Sequence, residues 1–148
     1  IMIAKSSGVN LHQKEHCHVE EEDVYASILY ATAAITASGT ASLECAVLDT
    51  PQVVCYRLSK FSGFIAKQMN RAPFVSMPNL IAGRTVVNEL LQKEVNSDNI
   101  ARHLLPLLKD SPQRKTMLQG FEEIRRSLGL PGAYERAAES ILKRTRHG

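Results

Sequence analysis

The sequence predicts an α/β chain, a parallel β-sheet covered by helices on both faces. Three observations point there. Strand-like and helix-like segments alternate from the first residues to the middle of the chain, the arrangement of βα units rather than of hairpins. The apolar segments at residues 33–37 (AAITA) and 52–56 (QVVCY) are short and continuous, as strands buried on both faces are. Residues 36–49 read TASGTASLECAVLD, the end of a strand, a tight Ser-Gly-Thr turn and then a helix, which is the corner of a βα unit.

The elements follow in order. Residues 1–4 (IMIA) and 16–20 (HCHVE) read as strands, the second weakened by its polarity. Residues 21–31 read as a helix with Val24, Ile28 and Leu29 on one face. A strand at 33–37, a helix at 40–48 and a buried strand at 52–56 come next. Residues 61–70 read as a helix, and 74–76 as a short strand leading into a loop stiffened by Pro78 and bent at Gly83. Helices are expected at 86–92 and at 97–109, the latter with Ser97 as N-cap. Residues 111–128 carry Pro112 near the first helical position and Gly129 just past the end, the usual asymmetry of helix termini. Residues 131–144 close the chain as another helix, so the ending from residue 86 onward reads as helical only.

Composition sets limits. A chain of 148 residues suits a single domain with a real core. No apolar run is long enough to span a bilayer, and no secretory signal is read at the start. Cys17, Cys45 and Cys55 are odd in number, and two of them lie in apolar runs. They read as reduced, buried small hydrophobes, as in a cytoplasmic protein. His12, His16 and His18 with Cys17, Glu20, Glu21 and Glu22 have metal-like composition. Their spacing is poor for a closed zinc site, because alternate strand residues point to opposite faces. No metal and no cofactor are therefore expected. His103 and His147 sit on helices and read as solvated, and no nucleophile elbow, Walker loop or HExxH motif occurs.

The Ser38-Gly39-Thr40-Ala41 corner carries the most chemistry. Gly39 permits the turn and a close approach of ligand to backbone. The first amides of the following helix lack intrahelical partners and sit at the positive end of its dipole, a place suited to phosphate or diphosphate. Glu44, one turn in, can accept hydrogen bonds from sugar hydroxyls. A purely structural reading stands beside this one, in which the turn only reverses the chain and Glu44 only complements the dipole.

Charge supplies a second signal. The formal net charge is +3, yet no acidic residue lies between Asp49 and Glu89, where Arg57, Lys60, Lys67, Arg71 and Arg84 fall. Phe61, Phe64, Ile65 and Met69 interleave with Lys60, Lys67 and Arg71 at near-helical spacing. One reading is a surface helix packed on the sheet. The other is an interfacial helix that dips apolar side chains among lipid headgroups while its cations meet anionic lipid. Nucleic acid is not expected as a partner, since no arginine-rich run, zinc finger or aromatic RNA-binding motif appears.

The motifs ASGTASLE, VVCYR and MPNLIAGR, followed by NELLQKE and the tail GAYERAAESIL, together resemble the C-terminal half of the lipid-A-disaccharide synthase family. The resemblance covers residues 23–142. The alternatives are related GT-B enzymes with a Ser-Gly turn and a glutamate at the nucleotide, such as the peptidoglycan glucosaminyltransferase and the UDP-sugar 2-epimerases, and the PNLIAGR loop argues against both. The resemblance implies a GT-B glycosyltransferase built of two Rossmann-like domains. Residues 1–148 are then one partial UDP-sugar-binding C-terminal domain, a fragment of a parent more than twice as long. It implies transfer of 2,3-diacylglucosamine from its UDP derivative to 2,3-diacylglucosamine 1-phosphate, with inversion, giving lipid A disaccharide phosphate and UDP. The implied partners are those two substrates, an anionic membrane surface, the enzyme's own N-terminal domain and a second copy of the chain as a homodimer. The implied location is cytoplasmic, peripheral on the inner face of the cytoplasmic membrane. The competing reading is a non-catalytic nucleotide-binding or membrane-docking module that kept the fold.

Residue roles follow from chemistry and resemblance together. Ser38, Gly39, Thr40 and Ala41 are expected to hold the UDP diphosphate, where charge develops as UDP leaves, and Glu44 the ribose hydroxyls. Asn79 is expected to reach sugar or phosphate. Arg57, at the C-terminal end of its strand, faces the edge where open parallel sheets bind ligands. It can meet phosphate or pair with Glu44, and Arg84 is a further phosphate candidate. Lys60, Phe61, Phe64, Ile65, Lys67 and Arg71 are the membrane-contact candidates. No catalytic residue is expected in this chain, because the general base should belong to the N-terminal domain, and the chain alone should be inactive.

Overall fold

The computed structural model describes residues 2–4, 18–20, 23–37, 39–57, 73–129 and 132–145. The described residues form five strands: β1 (Met2–Ala4), β2 (His18–Glu20), β3 (Ala34–Ala37), β4 (Gln52–Tyr56) and β5 (Asn88–Leu91). All pairings are parallel. β1 pairs with β2, and β3, β4 and β5 lie side by side in that order, with Ala34 opposite Gln52 and Val53 opposite Asn88. The helices are α1 (Val24–Leu29), α2 (Thr40–Val47), α3 (Met77–Ala82), α4 (Ser97–Leu104), α5 (Pro112–Leu128) and α6 (Ala133–Thr145). This is the α/β, Rossmann-like arrangement expected. Consecutive burial of Gln52, Val53 and Val54 shows that both faces of β4 are covered, because neighbouring strand residues point opposite ways.

The core joins Val53 and Val54 of β4, Leu90 of β5, Ala46 of α2 and Leu107 to one face of α5. That face presents Met117, Phe121 and Ile124, all buried, at the helical spacing of four and then three residues. Ser111 caps α5 by accepting from the Arg114 amide at 3.1 Å, Pro112 opens it and Gly129 ends it, as its sequence foretold. From α5, Arg114 donates to the carbonyls of Thr32 and Leu107, each at 2.6 Å. Arg125 pairs with Asp49 and donates to the Ala46 carbonyl at 3.2 Å. It thereby satisfies the last turn of α2, where a cation also suits the dipole.

Gly120 marks the tightest contact. A Cβ there would sit 2.5 Å from Cγ1 of Val86 and 3.1 Å from Cγ2. Glycine inside a helix is otherwise unfavourable relative to alanine, so the close approach of α5 to the start of β5 explains it. Gly120→Ala should destabilise by about 1–3 kcal/mol despite the better helix propensity, and urea denaturation checks the sign.

Several elements differ from the sequence reading. Residues 86–92 are not a helix: Asn88–Leu91 form β5 and Gln92–Glu94 a short 3-10 turn. Residues 74–76 form no strand, whereas Met77–Ala82, read as a loop, is helical, with Pro78 in its first turn and Gly83 ending it at φ 64°. Proline has no N–H to lose there, and glycine alone takes the left-handed cap without strain. The helix expected at 97–109 stops at Leu104 and tightens to a 3-10 turn, Leu105–Leu108, because Pro106 cannot donate the next helical bond. Its cap is Asn96, which accepts from Asn99 at 2.9 Å, rather than Ser97. Leu29, expected on the buried face of α1, is 53% exposed, and His103 is half-buried rather than solvated. The helix expected at 61–70 lies outside the described residues. No helix among the described residues is long and apolar enough to cross a membrane.

Candidate functional site

α2 begins where β3 ends, at the C-terminal edge of the parallel sheet. Gly39 makes the corner with φ 137° and ψ −159°, a conformation that residues with a Cβ rarely adopt. Nothing lies within 4 Å of where its Cβ would be, so the need for glycine is conformational. Among the described residues no side chain caps α2. The Ser42 hydroxyl, which could have turned to the helix start, instead donates to the Gly39 carbonyl at 2.7 Å. Thr40 and Ala41 are exposed, and their amides open the helix without an intrahelical acceptor. Ser38 lies outside the described residues.

Glu44 lies one turn further along, half-buried. Residues four apart share a helix face, so its carboxylate stands on the Thr40 side of α2. Among the described residues no hydrogen bond or ion pair engages it. Arg57 directly follows β4 at the same sheet edge, is exposed, and donates to the Val95 carbonyl at 3.4 Å. It does not pair with Glu44.

The start of a second helix, α3, is filled from within. Glu89 of β5 accepts from the Val75 amide at 3.0 Å, the Ser76 amide at 2.9 Å, the Ser76 hydroxyl at 2.6 Å and the Asn79 side-chain amide at 2.8 Å. A fixed carboxylate here occupies the place an anion would take. The contrast between the two helix starts singles out α2 as the open one. Sequence reasoning passed over Glu89, whose one signal was a carboxylate among leucines in a segment that reads as helix.

The geometry corrects the expectation for Asn79. It is 1% exposed. Its side-chain oxygen accepts from the Val86 amide at 2.7 Å and the Val87 amide at 2.9 Å, and its nitrogen donates to the Val87 carbonyl at 2.9 Å as well as to Glu89. All four hydrogen-bonding positions of the amide are thus filled by the chain itself, leaving none for sugar or phosphate. Arg84 is likewise engaged: it pairs with Glu123 of α5, past the far end of α3 and toward the N-terminal edge of the sheet, away from the start of α2. Lys60, Phe61, Phe64, Ile65, Lys67 and Arg71 lie outside the described residues, as do Cys17, His12 and His16.

Cys45 and Cys55 are free thiols. Burial pushes the Cys45 thiol up to about 11, with the neighbouring Glu44 carboxylate acting in the same direction. Burial also raises Cys55. Neither is tuned as a nucleophile, which needs a lowered value. Among the described residues no group of histidine, cysteine and carboxylate side chains could hold a metal ion. A cleft of about 460 Å³ lined by Asn88, Arg102, His103, Pro106 and Met117 opens near the start of β5, at the other edge of the sheet.

Comparison with known proteins shows the family of the chain. The family model described as lipid-A-disaccharide synthetase matches residues 5–142. The chain is 43% identical over 117 residues to the lipid-A-disaccharide synthase of Serratia proteamaculans, covering 79% of this chain and 30% of that protein. It is 45% identical over 111 residues to that of Myxococcus xanthus, covering 75% and 29%. To that of Synechocystis it is 39% identical over 127 residues, covering 84% and 32%. The chain therefore spans about a third of the length of these relatives. With a match over nearly all its residues and this level of identity, the chain belongs to the lipid-A-disaccharide synthetase family.

Proposed function

We propose that this chain is the UDP-sugar-binding part of an inverting glycosyltransferase of lipid A biosynthesis. The donor is UDP-2,3-diacylglucosamine and the acceptor is 2,3-diacylglucosamine 1-phosphate. The observation that carries the reading is the start of α2, which no described side chain caps, with the Glu44 carboxylate one turn along it, engaged by none of the described residues. Gly39, Thr40 and Ala41, with Ser38 beside them, hold the diphosphate, and Glu44 accepts from the ribose hydroxyls. As the glycosidic bond to UDP breaks, negative charge grows on the β-phosphate, and amides already aimed there stabilise it without reorganising. Arg57, anchored on the loop after β5, adds positive charge at the same edge. The base that takes the acceptor's proton belongs to an N-terminal domain, and the chain assayed alone forms no disaccharide. The acyl chains of both substrates call for a membrane-peripheral enzyme on the cytoplasmic face, with residues 60–71 as its contact.

In the full-length enzyme, Glu44→Ala should cost about 1.5–3 kcal/mol in UDP-sugar recognition, the range for hydrogen bonds to a charged group. The cost should appear as a raised KM for the donor and not for the acceptor. UDP titration followed by amide shifts should move Thr40, Ala41 and Glu44. Shifts clustered at the cleft around Arg102 and His103 instead would overturn the assignment.

A further inference from the structure

Gln52, the first residue of β4, is fully buried. A buried side-chain amide is costly unless both its ends are bonded, and here they are. Its oxygen accepts from the Thr36 hydroxyl at 2.7 Å, and its nitrogen donates to the Ser42 carbonyl at 2.6 Å. The carbonyl of Ser42 can only accept, so the orientation of the amide is settled by its partners. Ser42 is itself fully buried and donates its hydroxyl to the Gly39 carbonyl at 2.7 Å. One chain of hydrogen bonds therefore runs from β3 through β4 into the first turn of α2 and ends on the corner glycine.

The end point matters. The Gly39 carbonyl and the Thr40 amide belong to one planar peptide unit and point in opposite directions. Tethering that carbonyl inward aims the Thr40 N–H outward, into the open space at the start of α2. Holding the Ser42 carbonyl fixes the helix against the strand ends on which it stands. A leucine at position 52 would fill the same volume but release the Ser42 carbonyl from β4, leaving the first turn of α2 held only by its own Ser42–Gly39 bond.

We propose that Gln52, locked by Thr36 and acting through Ser42, is a positioning residue for the diphosphate site. It touches no ligand. It sets the direction of the amides that do. The proposal rests on the reading of α2 as the UDP site.

The test uses the full-length enzyme and two variants, Gln52→Leu and the near-isosteric Thr36→Val, which removes only the hydroxyl that locks the glutamine. UDP dissociation constants, kcat/KM for the UDP-sugar, KM for the acceptor and melting temperatures are measured together. Loss of about one net hydrogen bond's worth of alignment corresponds to a five- to tenfold weaker UDP affinity in Gln52→Leu. The donor kcat/KM should fall in parallel and the acceptor KM stay within about twofold. Thr36→Val should move the same way by less. If both variants melt earlier but bind UDP like the parent per folded molecule, Gln52 only stabilises the core and the proposal fails while the UDP reading stands. Should Gln52→Leu not fold, unaltered UDP affinity in Thr36→Val is enough to overturn it. If the parent enzyme itself shows no UDP-dependent shifts at Thr40 and Ala41, the UDP reading falls and takes this one with it.

Discussion

Phe121→Ala is expected to lower stability by about 3–5 kcal/mol, the cost of emptying a core aromatic site, which is a large part of what a domain this size possesses. Phe121 is 0% exposed and lies between Met117 and Ile124 on the buried face of α5. It sits one residue after the glycine that touches Val86, so the helix cannot slide inward to fill the hole. Around it, Arg114, Arg125 and Glu123 tie α5 to the sheet and to the ends of α2 and α3, which resists collapse further. Urea denaturation of parent and variant should show the midpoint falling with the slope little changed. A shift corresponding to less than about 1 kcal/mol would mean that α5 repacks freely, against the geometry described.

Glu89→Ala should be comparably severe for a different reason. The carboxylate is the shared acceptor for two backbone amides, a buried hydroxyl and the amide of Asn79. Removing it takes the shared acceptor away from four donors, and a donor left unmatched where water cannot reach costs on the order of 1–3 kcal/mol. Water will reach some of them, since Val75 and Glu89 are only half-buried, so a total of roughly 3–5 kcal/mol is expected. Glu89→Gln retains one good acceptor and should cost clearly less. A thermal melt of both variants checks the order. If alanine and glutamine were equally mild, α3 would not depend on this cap.

The contrast between β5 and α2 shows what kind of information sequence carries here. Residues 36–56 were legible because local chemistry and tertiary demand agree. The continuous apolar runs of β3 and β4 suit strands buried on both faces, and only a glycine turns the chain tightly between β3 and α2. Residues 88–94, NELLQKE, are almost all strong helix formers, and a helix was expected. Pairing with the exposed edge of β4 overrides that weak preference by satisfying the strand's backbone and burying Leu90. The same override hides Glu89, whose role exists only because β5 brings it beside residues 75–79. Asn79 and Arg84 illustrate the limit at the site. A polar residue in a loop-like motif and a cation in an acid-free stretch both look available to a ligand. Each is instead committed within the fold, to backbone groups of residues 86 and 87 and to Glu123.

What the sequence by itself determined is the α/β class, the corner at Gly39, the helix that follows it and the well-capped α5. Each depends on short-range rules of periodicity, capping and glycine geometry. What only the tertiary structure decided is which polar groups remain open at that corner. Among the described residues nothing engages the Glu44 carboxylate, and Arg57 reaches the Val95 carbonyl. Asn79 and the start of α3 are satisfied from within the fold, and Arg84 pairs with Glu123. The physical reason is that a hydrogen-bonding group's availability depends on every partner within about 3 Å, and those partners come from strands and helices far away in the chain.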